Sequence, residues 1–121
     1  MTQVSIYHNP RCSKSRQTLA LLEENHCQIT IIEYLKTPPS AQTLTQILDL
    51  LALTPRELMR KKEAEYKALN LQDETLSSAD LIQAMVSNPK LIERPIVVTD
   101  TQAVIGRPPE NVLALLDQDK S

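Results

Sequence analysis

Val4-Ser5-Ile6-Tyr7-His8-Asn9-Pro10-Arg11-Cys12-Ser13-Lys14-Ser15-Arg16 is the stretch that decides the fold. Val4 and Ile6 alternate with their neighbours at the period of a strand, so Val4–Tyr7 reads as one. From Ser13 to about Glu24 the pattern turns helical, with Leu19 and Leu22 on one side. The cysteine at the junction sits at a helix N-terminus. Unpaired backbone N–H groups and the positive end of the helix dipole favour a thiolate there. Arg11, Lys14 and Arg16 add positive charge around it. This combination suits a nucleophilic cysteine meeting an anion.

Working outward, Ile29–Glu33 is rich in β-branched residues and reads as a second strand. Strand, helix and strand make a βαβ unit, which is expected to be parallel and right-handed. Thr37-Pro38-Pro39-Ser40 breaks the chain. Ser40 then caps a helix carrying Leu44, Ile47, Leu48 and Leu51 on one face. Thr54-Pro55 restarts a helix with Leu58 and Met59 as its apolar residues and Arg60-Lys61-Lys62 at its end. Ser77-Ser78-Ala79-Asp80 resembles a capping box ahead of Leu81, Ile82, Met85 and Val86, and Asn88-Pro89 stops that helix. Everything from Ser40 to Asn88 is thus expected to be helical, in short pieces. Ile96–Thr99 and Ala103–Ile105 read as a hairpin, and Pro108-Pro109 opens a last helix with Val112, Leu115 and Leu116. The order βαβ, helices, ββα predicts an α/β fold: a thioredoxin-like four-stranded mixed sheet with an inserted helical subdomain. The core would span residues 1–36 and 89–118, and the insertion 40–88.

A chain of 121 residues is expected to form one domain with a core that needs no staples. Phe and Trp are absent, so aliphatic side chains must fill that core. A net charge of −2 gives no reason to expect nucleic acid. No apolar run is long enough to span a bilayer, and the first residues lack a signal-peptide pattern. Two cysteines, Cys12 and Cys27, are too few for a disulfide scaffold, and the reading is a cytoplasmic, reducing setting.

Ser15 stands where a dithiol motif would place its second cysteine, so Cys12 is expected to act as a monothiol. Cys27 lies at the far end of the helix, roughly 20 Å away at the standard rise, and reads as structural. A resolving thiol is therefore expected from outside, such as glutathione or a small thiol protein. His8, on the strand end, is either a polar loop residue or a neighbour that lowers the thiol pKa. Among the arginines, Arg94 precedes Pro95 at a strand start. By analogy with thioredoxin-like folds, this position faces the active cysteine and the proline is cis. Arg107 follows Gly106, the only glycine, which implies an unusual φ or a close approach. The spacing does not set where Arg60 points, and Arg56 reads as a surface charge. Cys-x5-Arg, the phosphatase-like pattern, is absent, because the sixth residue after Cys12 is Thr18.

The chain resembles the glutaredoxin/glutathione-dependent arsenate reductase family over essentially its whole length. Tyr7-His8-Asn9-Pro10, Cys12, Ser15-Arg16, Tyr34-Leu35, Pro38-Pro39-Ser40, Leu58-Met59-Arg60-Lys61, Arg94-Pro95-Ile96-Val97-Val98 and Arg107-Pro108 carry the resemblance. It implies Cys12 as the catalytic cysteine, His8 as the residue tuning its pKa and Ser15 as the supporting hydroxyl. It further implies Arg60, Arg94 and Arg107 as the oxyanion-binding arginines. The implied reaction reduces arsenate to arsenite through a Cys12 thiol-arsenate adduct, with glutathione as co-substrate, glutaredoxin as partner, phosphate as a competing oxyanion and no tightly bound cofactor or metal. Arg11 and Lys14 depart from the pattern, since well-studied members carry small neutral residues there. Two alternatives belong to the same fold: a thiol oxidoreductase acting on glutathionylated substrates, and a non-catalytic regulator that binds RNA polymerase. The regulator typically works through a Cys-x-x-Cys switch, which Ser15 removes here.

Overall fold

The computed structural model describes residues 3–117. Four strands, β1 (Gln3–Tyr7), β2 (Gln28–Ile32), β3 (Ile96–Val98) and β4 (Ala103–Ile105), form one sheet in the order β2-β1-β3-β4. β1 and β2 run parallel with Ile6 opposite Ile31, whereas β3 is antiparallel to both β1 and β4. This is the mixed, thioredoxin-like sheet expected from the element order. Helix α1 (Ser13–Glu24) links β1 to β2.

Alternation along β1 places Val4 and Ile6 on the same face. They join Leu22 of α1, Val97 of β3, and Val112 and Leu115 near the C-terminus in one buried cluster. Every member of this cluster is aliphatic, but Tyr7, Tyr34 and Tyr66 are buried as well, so aliphatic side chains do not fill the core alone. Each cluster member contributes about 1.5–3 kcal/mol on full burial. Cys27 packs against this cluster with Leu19, Leu21, Ile29 and Val104, so it serves as a small core side chain. The C-terminal segment differs from the single helix expected after Pro108-Pro109. Pro109–Val112 is a 3-10 turn, and α6 (Leu113–Asp117) follows it.

By its contacts the chain separates into two compact units, Met1–Thr37 with Arg94–Ser121, and Pro38–Glu93. The second unit holds α2 (Ala41–Leu51), α3 (Pro55–Leu58), α4 (Ala64–Ala68), α5 (Ser78–Ser87) and a 3-10 turn at Pro89–Leu91. Local chemistry explains its helix starts. Ser40 accepts the Thr43 N–H, and Thr54/Glu57 and Ser77/Asp80 form reciprocal capping boxes.

Three sequence readings fail in this unit, each because a distant partner wins. Met59 is extended rather than helical and bridges Ile92 in antiparallel fashion. The Arg60 N–H donates to the Leu91 carbonyl and the Glu93 N–H to the Leu58 carbonyl, so α3 ends after four residues. For the same reason residues 89–93, read as part of the sheet core, fall within the helical unit. Arg56, read as a surface charge, is a half-buried clamp. Its guanidinium donates to the Tyr66 hydroxyl and to the carbonyls of Leu71 and Asp73. A planar fork with several donors suits that convergence of acceptors.

Candidate active site

β1 ends at Tyr7, and residues 8–11 turn the chain into α1. The Asn9 backbone carbonyl accepts the Cys12 N–H at 3.0 Å, and the Asn9 side chain accepts the Arg11 N–H at 3.0 Å. Arg16 reaches back to donate to the Pro10 carbonyl at 2.8 Å. This loop delivers Cys12 in extended conformation (φ −93°, ψ 123°) as the N-cap of α1. Its sulfur forms no complete capping hydrogen bond, but it faces the open amides of the first turn. That turn carries no acidic side chain to compete for them.

The Cys12 thiol lies below its ordinary pKa. Burial raises it, but this is outweighed by the Ser15 N–H, the Arg94 guanidinium, the Lys14 N–H and the Arg107 guanidinium. Helix amides and two guanidinium groups therefore stabilise the same negative charge. Arg94 and Arg107 are about 80–95 residues from Cys12 in sequence, and the topology brings them there. Both precede cis prolines, Pro95 and Pro108. Arg107 Nη1 lies 3.4 Å from the Arg94 carbonyl oxygen, linking the two segments.

Gly106 distinguishes between the two explanations left open for it. Its φ is not positive. The reason is close approach: a Cβ there would lie 2.6 Å from Thr18 Oγ1 and 3.0 Å from Pro95 Cγ. The Gly106 N–H donates to the Pro95 carbonyl at 2.8 Å. Gly106→Ala is expected to destabilise the fold by about 1–3 kcal/mol through overpacking, read as a lower urea midpoint with an unchanged slope.

His8 and Ser15 are both buried and meet, with Nδ1 2.6 Å from Oγ. The Ser15 Oγ also accepts the Asn9 N–H at 3.1 Å. Burial lowers the His8 pKa; Glu33 opposes this and Arg16 reinforces it. Burial thus favours the neutral ring over the imidazolium. The ring contacts the Ser15 hydroxyl, and Arg94 and Arg107 supply positive charge near the thiol.

Arg60 lies in the helical unit, where it is ion-paired with Glu63 and lies 4.0 Å from Glu93. Arg11 and Lys14 are exposed. Sequence reasoning missed Thr18, which is fully buried in the middle of α1. A hydroxyl on the apolar face of an amphipathic helix was the available signal.

The ArsC family model matches residues 7–115. Escherichia coli (strain K12) has a relative, the uncharacterized protein YfgD, that is 59% identical over 115 residues, covering 94% of this chain and 97% of that protein. An arsenate reductase of Haemophilus influenzae is 49% identical over 114 residues, covering 93% of this chain and 98% of that one. Among solved structures, an arsenate reductase from Vibrio cholerae superposes with a TM-score of 0.91 at 54% identity, covering 93% of this chain and 97% of the other. The match spans the Cys12 loop, both arginine–proline pairs and the helical unit between them, and the chain belongs to the ArsC family.

Proposed function

We propose that this protein reduces arsenate to arsenite with glutathione and glutaredoxin. The observation that carries the reading is the Cys12 thiol, lowered in pKa by helix amides and by Arg94 and Arg107 together. A thiolate held this way meets a dianion with the charges needed to bind it. The binding site and the activation of the nucleophile are one electrostatic device.

In this reading the Cys12 thiolate attacks arsenic(V), an As–S bond forms, and one arsenate oxygen leaves as water after protonation. The glutathione thiolate then attacks the Cys12 sulfur. A disulfide forms, the As–S bond breaks with its electron pair left on arsenic, and arsenite departs. Two thiols supply the two electrons. Glutaredoxin takes the glutathionyl group from the mixed disulfide and returns Cys12 as thiolate. Ser15 in place of a second cysteine fits this monothiol course, and Cys27 is committed to packing. Phosphate shares arsenate's shape and charge and is expected to compete. Selectivity is chemical, because only the arsenic centre is readily reduced by a thiol. A glutathione-dependent enzyme of this kind works in the cytoplasm, and no helix among the described residues is long and apolar enough to cross a membrane.

Steady-state arsenate reduction with and without glutathione and glutaredoxin tests the proposal. Turnover that needs both supports it. Deglutathionylation without arsenate turnover would favour the thiol oxidoreductase alternative instead. Arg60 enters as the third oxyanion-binding arginine on the family resemblance. Arg60→Ala is expected to raise KM for arsenate roughly tenfold or more, in line with the loss of one charge-assisted partner of an anion. An unchanged KM with lowered stability would confine Arg60 to its ion pairs with Glu63 and Glu93.

A further inference from the structure

Thr18 lies on the buried face of α1 between Ser15 and Leu22, and all three are fully buried. A threonine is a poor choice for such a site on packing grounds alone. Its hydroxyl needs a partner, and bonding back to the preceding turn slightly destabilises a helix. Thr18 Oγ1 donates to the Lys14 carbonyl at 2.8 Å and lies 3.3 Å from the Gly106 carbonyl oxygen. Gly106 sits so close that a Cβ would come within 2.9 Å of the Thr18 methyl carbon as well as meeting its hydroxyl. One side chain thus touches both halves of the site. Lys14 belongs to the turn whose amides face Cys12, and Gly106 directly precedes Arg107 and is hydrogen-bonded to Pro95, next to Arg94.

We propose that Thr18 is a positioning residue. Its hydroxyl, shared between the Lys14 and Gly106 carbonyls, holds the Arg94-Pro95 and Gly106-Arg107 segments at a fixed distance from the first turn of α1. The glycine gives the approach, and the hydroxyl sets its register. Coulombic stabilisation varies inversely with distance and is weakened further by entering water, so a loosened arginine loop stabilises the thiolate less. The methyl group fills space, and the hydroxyl carries the coupling.

The proposal rests on Cys12 being the nucleophile, and the test separates the two ideas. The rate of iodoacetamide alkylation at Cys12 is measured against pH, with the site assigned by peptide mass, in the parent, Thr18→Val, Thr18→Ala and Thr18→Ser. Circular dichroism confirms folding. The valine and alanine variants are expected to show a midpoint roughly half a pH unit or more above the parent, together with a raised KM for arsenate. Thr18→Ser keeps the hydroxyl but loses the methyl. It is expected to keep the parent midpoint while losing stability, a split that a purely structural role would not give. A folded Thr18→Val with the parent midpoint overturns the proposal. If valine prevents folding, equal midpoints in the alanine and serine variants overturn it. A parent midpoint in the ordinary thiol range overturns the Cys12 reading itself, and the role of Thr18 with it.

Discussion

Cys12→Ser is expected to abolish arsenate reduction, a loss of at least roughly 10³-fold in kcat, while leaving the protein folded. The substitution changes one atom. A serine hydroxyl does not ionise near neutral pH even beside two guanidinium groups, and it cannot supply an electron to arsenic through a disulfide. No remaining thiol can substitute, because Cys27 is packed against the core at the other end of α1. The fold does not depend on the sulfur, which forms no complete capping bond. Serine is among the preferred N-cap residues, so the variant is expected to be no less stable than the parent. Phosphate binding is expected to survive, since Arg94 and Arg107 remain. Thermal unfolding, phosphate titration and glutathione-coupled turnover together check the prediction. Turnover retained in a folded Cys12→Ser protein would end the covalent mechanism.

Arg94→Ala is expected to have the next largest effect, on two properties at once. The Cys12 alkylation midpoint should rise toward the ordinary thiol value of about 8.5. In the parent, the rate levels off above the lowered pKa and falls as pH drops through it. In the variant, the rate is still climbing at neutral pH and levels off at a more alkaline value. Loss of the guanidinium also removes a fixed donor to the oxyanion, with a loss in kcat/KM on the order of 10²-fold. Arg94→Lys separates the two effects. Lysine keeps the charge and should restore much of the thiol titration, but it lacks the planar fork and should not restore anion binding in full. An unchanged thiol titration in Arg94→Ala would remove Arg94 from its assigned role.

Much of the fold was legible because its signals are local. Alternation in β1, the aliphatic stripe of α2, and the caps at Ser40, Thr54 and Ser77 all involve residues within a few positions of one another. Cys12 was legible as the residue heading α1 for the same reason, since a helix start and its amides can be read from one short stretch. Met59 was misread because the capped helix before it looks able to continue. Nothing near Met59 announces the strand-like pairing with Ile92. Arg56 was misread because its acceptors come from α4 and the loop beyond it. His8 was placed near the site, but its pKa is lowered by burial, which no local pattern reveals.

By itself, then, the sequence determined the strands, the capped helix starts and the cysteine at the head of α1 with a serine three residues on. The tertiary structure alone decided that Arg94 and Arg107 come to that thiol, that Gly106 is required by Thr18 rather than by its own φ, and that His8 is buried against Ser15. Short-range patterns reflect the helix and strand periods that every segment obeys. The Thr18–Gly106 contact joins residues 88 positions apart, and such a contact exists only once β3 and β4 have paired and packed against α1.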